Sequence, residues 1–274
     1  MFAEVFNGHD FYSHMPFLFE ESETINMLFS KVDYEDERDP RRWKLHTCIL
    51  DDMLQPQDIQ RLNTGLGDEY IECNPSIYIN GNNELVLTFI AGKPIPNAPT
   101  RYRAYQMTGY SIDDLSEAQV VSVEPYIKPW SACQTLHYNA VCGVVLHSLE
   151  SSFINKKTIA IRNKNDNSVI HLNLDVDNIL RVSSIYGSAN KILITARSDQ
   201  FTYRFKTFVY DIEADVLYDT RNDVNLDNNY KGSVYKNMYA YAQRSDSGFE
   251  NRSICVIDEF QMPVSSLSYE RISV

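Results

Sequence analysis

The sequence predicts an all-β protein, a five-bladed β-propeller with four antiparallel strands in each blade. Short β-type runs recur in units that restart about every 45–60 residues. Polar turn clusters separate the runs, and long amphipathic helical periodicity is absent from the chain. A four-stranded blade cannot bury both of its faces alone, so units of this kind stack around a ring. Tyrosine (18) and phenylalanine (13) are abundant, as in half-buried pleated sheets.

Five units fit the length of 274 residues. The expected blades are residues 13–63, 64–124, 129–176, 178–225 and 231–274. Residues 1–12 are a candidate ring-closing strand, and the last blade is expected to end in a strand near residues 265–272. The second unit contains the clearest hairpin, since Asn80 and Gly81 separate two β-type runs and both residue types tolerate positive φ.

Two other all-β arrangements compete with this prediction, a two-sheet sandwich and a pair of small β domains. The units are not separated by linkers rich in proline, glycine or serine. A closed ring also removes the exposed sheet edges that invite aggregation. We therefore favour a single propeller domain over residues 1–274.

Charge and composition exclude several classes of function. The net charge of -12 argues against nucleic-acid binding, which needs clustered Lys and Arg. No run of about 18 apolar residues occurs, so we expect no membrane insertion. The first residues lack a basic region followed by a long apolar run, which predicts cytoplasmic synthesis without a signal peptide. The five cysteines form no C-x-x-C pair, so we expect reduced thiols, no metal and no cofactor.

The start of the second unit, Glu72-Cys73-Asn74-Pro75-Ser76-Ile77, resembles a strand of known enzymes. It is similar to the Asp-Pro-Ser-Ile strand of five-bladed glycoside hydrolases, the arabinanase, xylosidase and invertase-like enzymes. This resemblance implies a five-bladed ring whose innermost strands direct carboxylates into a central funnel. One carboxylate would act as base or nucleophile, one as acid, and a third would orient the sugar.

This chain departs from that pattern at the position where the enzymes have an aspartate. Asn74 stands there, and an amide cannot act as a base or nucleophile. Glu72 lies close by, but a single glutamate cannot perform a hydrolysis that needs two carboxylates. We therefore predict no catalytic residue, and a binding role for the residues at the funnel mouth. These are His14, Glu72, Asn74, Gln134, His137, Arg181 and Tyr235.

Three proline- or aromatic-bearing segments are predicted to be docking loops. They are residues 34–43, 92–101 and 124–130, and their representative residues are Trp43, Pro96 and Trp130. Stiff loops that carry aromatic side chains suit contacts with a protein or a glycan. For Trp130 the alternative is packing between two blades.

Together these features predict a non-catalytic binding or structural propeller within a larger assembly. A tailed-phage virion or tail component that docks a protein or a surface glycan is the concrete form of this hypothesis. The alternative is a glycosidase with a shifted carboxylate pair that includes Glu72. Two carboxylates about 5–10 Å apart across the funnel would favour the enzyme.

Overall fold

The computed structural model describes most of the chain. The described residues are 2–6, 11–33, 43–95, 98–121, 126–146, 152–197, 205–219, 229–244, 252–258, 266–267 and 270–273. Within them the strands form five antiparallel sheets, three of four strands and two of five. Of the predicted docking loops, residues 34–42, Pro96 and residues 124–125 lie outside the described part.

The first three sheets follow one another along the chain, each as a meander. Sheet 1 contains β2 (Phe11–Glu21), β3 (Thr24–Asp33), β4 (Lys44–Leu50) and β5 (Pro56–Arg61). Sheet 2 contains β6 (Ile71–Ile79), β7 (Leu85–Ile95), β8 (Ala98–Gly109) and β9 (Gln119–Val121), with a 3-10 helix at Ile112–Asp114. Sheet 3 begins with β10 (Tyr126–Gln134), β11 (Tyr138–Leu146), β12 (Ser152–Asn163) and β13 (Val169–Asn173).

The last two sheets continue this pattern. Sheet 4 begins with β14 (Asn178–Ser184), β15 (Lys191–Arg197), β16 (Phe205–Asp211) and β17 (Val216–Asp219). Sheet 5 contains β18 (Asn229–Tyr235), β19 (Met238–Arg244), β20 (Arg252–Asp258) and, as its outer strand, β1 (Phe2–Phe6). Because β1 pairs antiparallel with β20, this sheet joins residues 2–6 to residues 252–258.

The strand expected near residues 265–272 does not complete sheet 5, so that prediction is wrong. Instead, β21 (Ser266–Leu267) pairs with β17, and β22 (Glu270–Ser273) pairs with β13. The outer edge of β20 is already paired with β1. The outer edges of β13 and β17 would otherwise be unpaired, and the chain end covers them as fifth strands.

The first strand of each sheet lies innermost. These inner strands contact one another in the order β2, β6, β10, β14, β18, and β18 contacts β2 again. Each inner strand has a shift in its pairing register, which begins after His14, Cys73, Pro129, Ile179 and Tyr230. Such bulges bend a strand and turn its backbone away from the regular ladder. Asn74, within one of them, has a φ of 55°, which asparagine tolerates well.

The core consists of apolar side chains packed between neighbouring sheets. Phe17, Phe19 and Phe89 are fully buried between sheets 1 and 2. An extended cluster fills the junction of sheets 3 and 4. The structure confirms the predicted β-propeller fold with blades of four antiparallel strands. No helix in the described part is long and apolar enough to cross a membrane.

Candidate functional site

Arg181 of β14 crosses the centre of the channel between the inner strands. Its side chain is fully buried; Nη1 donates to the Pro16 carbonyl oxygen (2.8 Å) and Nη2 to the Pro75 carbonyl oxygen (2.7 Å). These acceptors lie in the bulges of β2 and β6. Neither of these strands is next to β14 in the circular order, where β14 lies between β10 and β18. The guanidinium therefore fills the channel and links three sheets.

Burial lowers the pKa of Arg181 to about 9, so the side chain remains cationic at neutral pH. A buried cation is costly unless hydrogen-bond acceptors surround it. The two bulge carbonyls supply such acceptors, because a bulge frees backbone groups from the ladder. The sequence analysis named Arg181 as a funnel residue, and the structure places it inside the channel.

A second set of contacts closes the channel one residue further along β6. Ser76 Oγ lies 2.7 Å from Ser184 Oγ, and Ser184 Oγ also donates to the Ile77 carbonyl oxygen at 2.6 Å. These bonds join β6 to β14 across β10. The pairing of Pro75 with Arg181 and of Ile77 with Ser184 shows that the two inner strands run in the same direction.

Serine side chains also connect neighbouring inner strands. The hydroxyl of Ser131 accepts a hydrogen bond from the Val182 backbone N–H, and the hydroxyl of Ser233 accepts one from Leu18 N–H, both at 3.0 Å. The sequence analysis did not name these serines. A serine directly after three of the five bulges, in Asn74-Pro75-Ser76, Pro129-Trp130-Ser131 and Lys231-Gly232-Ser233, was the available signal.

Glu72 does not face the channel. Its carboxylate accepts hydrogen bonds from Thr64 Oγ1 (2.9 Å) and Leu45 N–H (3.2 Å), and lies 3.6 Å from Lys44 Nζ. Both charged side chains are buried between sheets 1 and 2, and burial is the main cause that lowers the pKa of Lys44. Lys44 also donates to the Tyr70 carbonyl oxygen at 2.6 Å. Glu72 is thus part of a buried ion pair that holds the two sheets together.

His14, Trp43, Asn74 and Trp130 make contacts within the ring. His14 is buried, and its ring centroid lies 5.5 Å from that of Trp43. Asn74 Nδ2 donates to the Trp130 carbonyl oxygen, and Trp130 Nε1 donates to the Ile179 carbonyl oxygen at 3.0 Å. Trp130 lies on an inner strand against the core of sheets 3 and 4, which is the packing position considered as an alternative to docking.

Gln134, His137 and Tyr235 lie at the opposite end of the channel, where inner strands β10 and β18 finish. Gln134 is buried, and its Nε2 donates to Thr88 Oγ1 (3.1 Å) and Gln106 Oε1 (2.9 Å), so it points between sheets 2 and 3. His137 is exposed on the following turn. The seven residues predicted at one funnel mouth are therefore spread over both channel ends and two sheet junctions.

A tyrosine–carboxylate cluster occupies the end of β2 and β18. Tyr235 Oη donates to Glu20 Oε2, Lys236 Nζ lies 3.1 Å from the same oxygen, and Tyr186 Oη donates to the Glu20 carbonyl oxygen at 2.6 Å. The hydrogen bond from Tyr235 is the main cause that lowers the pKa of Glu20. Burial is the main cause that raises the pKa of Tyr235, and the hydrogen bond to Glu20 is the second. Tyr235 is thus a protonated donor at neutral pH, which does not suit a nucleophile.

The described residues of the inner strands contain three carboxylates, Glu20, Glu21 and Glu72. Glu20 binds Tyr235 and Lys236, and Glu72 pairs with Lys44. Glu21 Oε1 accepts the Ile112 N–H at 2.8 Å, and burial raises the pKa of Glu21. Each is held by its own partners, so this part of the chain offers no pair poised across the channel for hydrolysis. A group of three or more metal-binding side chains is likewise missing among the described residues.

Comparison with solved structures identifies several proteins of the same fold. A protein of unknown function from Dyadobacter fermentans is 8% identical over 100% of this chain and 85% of that chain, with a TM-score of 0.58. A GH43 β-xylosidase/α-arabinofuranosidase from a compost microbial metagenome is 9% identical over 94% of each chain, with a TM-score of 0.59. The catalytic domain of the GH62 α-L-arabinofuranosidase of Coprinopsis cinerea is 11% identical over 90% of this chain and 91% of that one, with a TM-score of 0.53.

No protein-family profile and no curated protein matches this sequence. At identities this low, structural similarity shows the fold alone. The comparisons therefore agree with the strand topology on one conclusion: the chain has a β-propeller fold that resembles the propellers of GH43 and GH62 arabinofuranosidases.

Proposed function

We propose that this chain is a non-catalytic carbohydrate-binding propeller, which recognises a glycan without cleaving it. The observation that carries the proposal is the position of Arg181. Its guanidinium crosses the channel and binds the Pro16 and Pro75 carbonyls, so a buried cation fills the place where the family resemblance implies sugar-cleaving carboxylates. The carboxylates on the described inner strands are engaged in separate contacts outside that centre.

The proposal includes the arrangement of the blades. We propose that each of the five sheets is one blade of a single ring spanning residues 1–274, close to the boundaries expected from the sequence. The circular order of contacts between the inner strands supports this arrangement. The pairing of β1 with β20 also supports it, because it fastens the two ends of the ring in one sheet.

A glycan is the partner that the comparisons favour. The GH43 and GH62 neighbours are named for action on xylose- and arabinose-containing carbohydrates. A protein partner in a larger assembly, a place in a phage virion and a cytoplasmic location have no supporting observation and stay predictions. Docking through the segments that contain Trp43, Pro96 and Trp130 is likewise untested.

The test is a glycan array with the purified protein, followed by product analysis for every glycan that binds. We expect saturable binding to at least one glycan class and no release of shorter sugars. The matched control is the triple variant Glu20→Gln, Glu21→Gln, Glu72→Gln, which removes all three carboxylates of the described inner strands while keeping their shape. Release of product by the wild type that this variant loses would establish the glycosidase instead. Failure to bind any glycan would refute the carbohydrate partner.

A further inference from the structure

The outer strands of sheets 1 and 2 have features that resist the addition of a further strand. In sheet 1, β5 contains Pro56, Asp58 and Arg61, and its pairing with β4 shifts in register. Asp58 has a φ of 51°, which bends the strand away from a regular ladder. In sheet 2, β9 is only three residues long. Proline, charged side chains, bulges and short length all protect a sheet edge from pairing with another chain.

The corresponding strands of sheets 3 and 4 lack these features. Neither β13 (Val-Ile-His-Leu-Asn) nor β17 (Val-Leu-Tyr-Asp) contains a proline or a lysine. Each pairs with its inner neighbour without a shift in register, and Leu172 and Leu217 in their middle are buried. A regular, mostly apolar edge of this kind is a template for an added strand. In this structure β22 and β21 occupy the two edges.

The two covering strands can leave these edges without opening the ring. They are short, since β22 has four residues and β21 has two, and each pairs along one side only within the described residues. The preceding strand, β20, is held independently by β1 and β19. Detachment of β21 and β22 therefore leaves every other described strand pair in place. Local opening of such a small unit needs less free energy than global unfolding.

The same two strands of a second copy match the exposed edges residue for residue. In the register of the structure, Ile272 lies opposite His171, and Leu267 lies opposite Leu217. When two copies exchange β21 and β22, every one of these pairs is re-formed between the copies, so no backbone pairing is lost. The fraction of exchanged molecules then depends on protein concentration by mass action.

We propose that the outer edges of β13 and β17 are an interaction surface for a second copy of this chain, which contributes its own β22 and β21. The exchange is reciprocal, so it produces a closed twofold dimer and not an open chain of molecules. Both edges lie on the outer side of their sheets, opposite the inner strands. The contacts of Arg181 within the channel are therefore the same in the single and the exchanged form.

The test mixes two full-length variants, His171→Cys and Ile272→Cys, at high protein concentration and then adds the thiol oxidant diamide. Exchange places the two new cysteines opposite each other on different chains, within the range of a disulfide. We expect about half of the exchanged dimers to contain one copy of each variant and to become covalent. Each variant alone controls for the native cysteines. A mixture of Lys191→Cys and Asp211→Cys, which pair inside sheet 4, is the matched control and should give no covalent dimer.

A double variant that carries His171→Cys and Ile272→Cys on one chain makes the test decisive. At low protein concentration it should form the disulfide within the chain, which shows that the two positions can be joined. If it does so while the mixture gives no more covalent dimer than either single variant, the strands are not exchanged. A folded double variant that forms no disulfide would contradict the pairing of β13 with β22. A chain that stays monomeric and binds an unrelated extended peptide at these edges would likewise overturn the proposed partner.

Discussion

The junction of sheets 3 and 4 and the junction of sheets 2 and 3 have the same strand arrangement but different side chains. Large, fully buried residues such as Ile159, Ile179 and Ile194 fill the first. Smaller buried side chains such as Ala104, Ala132 and Ala160 form the second, and they leave a cavity of about 20 Å³, enough for about one water molecule. Sheet 3 thus packs through large side chains on one face and through small ones on the other. The difference predicts that truncating a side chain costs more at the first junction than at the second.

The largest expected effect comes from truncating the tight junction. Ile194→Ala should lower the free energy of unfolding by about 2–5 kcal/mol, because Ile194 is fully buried in the cluster between sheets 3 and 4. Val121→Ala, at the partly buried edge of the junction of sheets 2 and 3, should cost less than about 1 kcal/mol. Urea unfolding followed by circular dichroism measures both. Equal losses would mean that the two junctions do not differ in packing as described.

The next effect concerns the channel centre, where Arg181 extends from sheet 4 to sheets 1 and 2. Arg181→Met should lower the free energy of unfolding by about 2 kcal/mol, since the Pro16 and Pro75 carbonyls lose their buried donor. Arg61→Met is the control, because Arg61 pairs with Asp68 at an exposed position. An Arg181→Met variant as stable as the control would show that the guanidinium does not hold the ring together.

A smaller effect should separate a crowded position from an uncrowded turn when one carbon is added. A Cβ at Gly232, within the bulge of β18, would collide with the Tyr239 hydroxyl oxygen. Tyr239 is fully buried, and its hydroxyl contacts Thr207 Oγ1 at 3.1 Å, so it cannot move freely. Gly232→Ala should therefore cost about 1–3 kcal/mol. Gly81→Ala is the matched control and should be tolerated, because nothing lies within 4 Å of a Cβ added there. Thermal unfolding measures both variants, and an equal loss for Gly81→Ala would contradict the crowding at Gly232.

The smallest effect depends on pH and involves Lys164, which ties the turn after β12 to sheet 2. Its Nζ donates to the Thr135 carbonyl oxygen (2.6 Å) and to Tyr78 Oη (2.9 Å), and burial lowers its pKa from 10.5 to about 8. Between these two values the unfolded chain holds a proton that the folded chain has released, so this lysine makes stability rise with pH in that window. Below about pH 8 Lys164 is protonated in both the folded and the unfolded state, and burying its charge then lowers the free energy of unfolding by its full amount.

Free energies of unfolding measured at about pH 7.5 and about pH 9.5 test whether Lys164 makes stability rise with pH. The wild type should gain stability relative to Lys164→Met as the pH rises. Lys206→Met, at an exposed position, corrects for the general effect of removing a lysine. A constant difference between the wild type and Lys164→Met across the window would show that Lys164 is not held in a desolvated site.

Local signals were sufficient to predict the type of fold. The Asn80-Gly81 turn lies between β6 and β7 as expected, because hairpin turns depend on a few adjacent residues. The pairing of residues 266–267 and 270–273 was not predictable in the same way. It depends on which sheet edges remain free after the ring is assembled, and that is a non-local property.

The candidate site was harder to predict because bulges interrupt every inner strand. A bulge adds one residue, so side chains beyond it no longer follow simple alternation between the two faces. Glu72, just before such a bulge, pairs with Lys44 between sheets, whereas Arg181, just after one, enters the channel. The juxtaposition of Asn139 and Arg162 was not foreseen, since these residues meet only through the pairing of β11 with β12.

A crystal structure of the protein with a bound glycan tests the account most directly. We predict that the glycan is intact and lies outside the channel centre. Arg181 should remain bonded to the Pro16 and Pro75 carbonyls in the same crystal. A sugar seated inside the channel, with Arg181 displaced and two carboxylates beside the glycosidic position, would contradict the account and indicate a hydrolase.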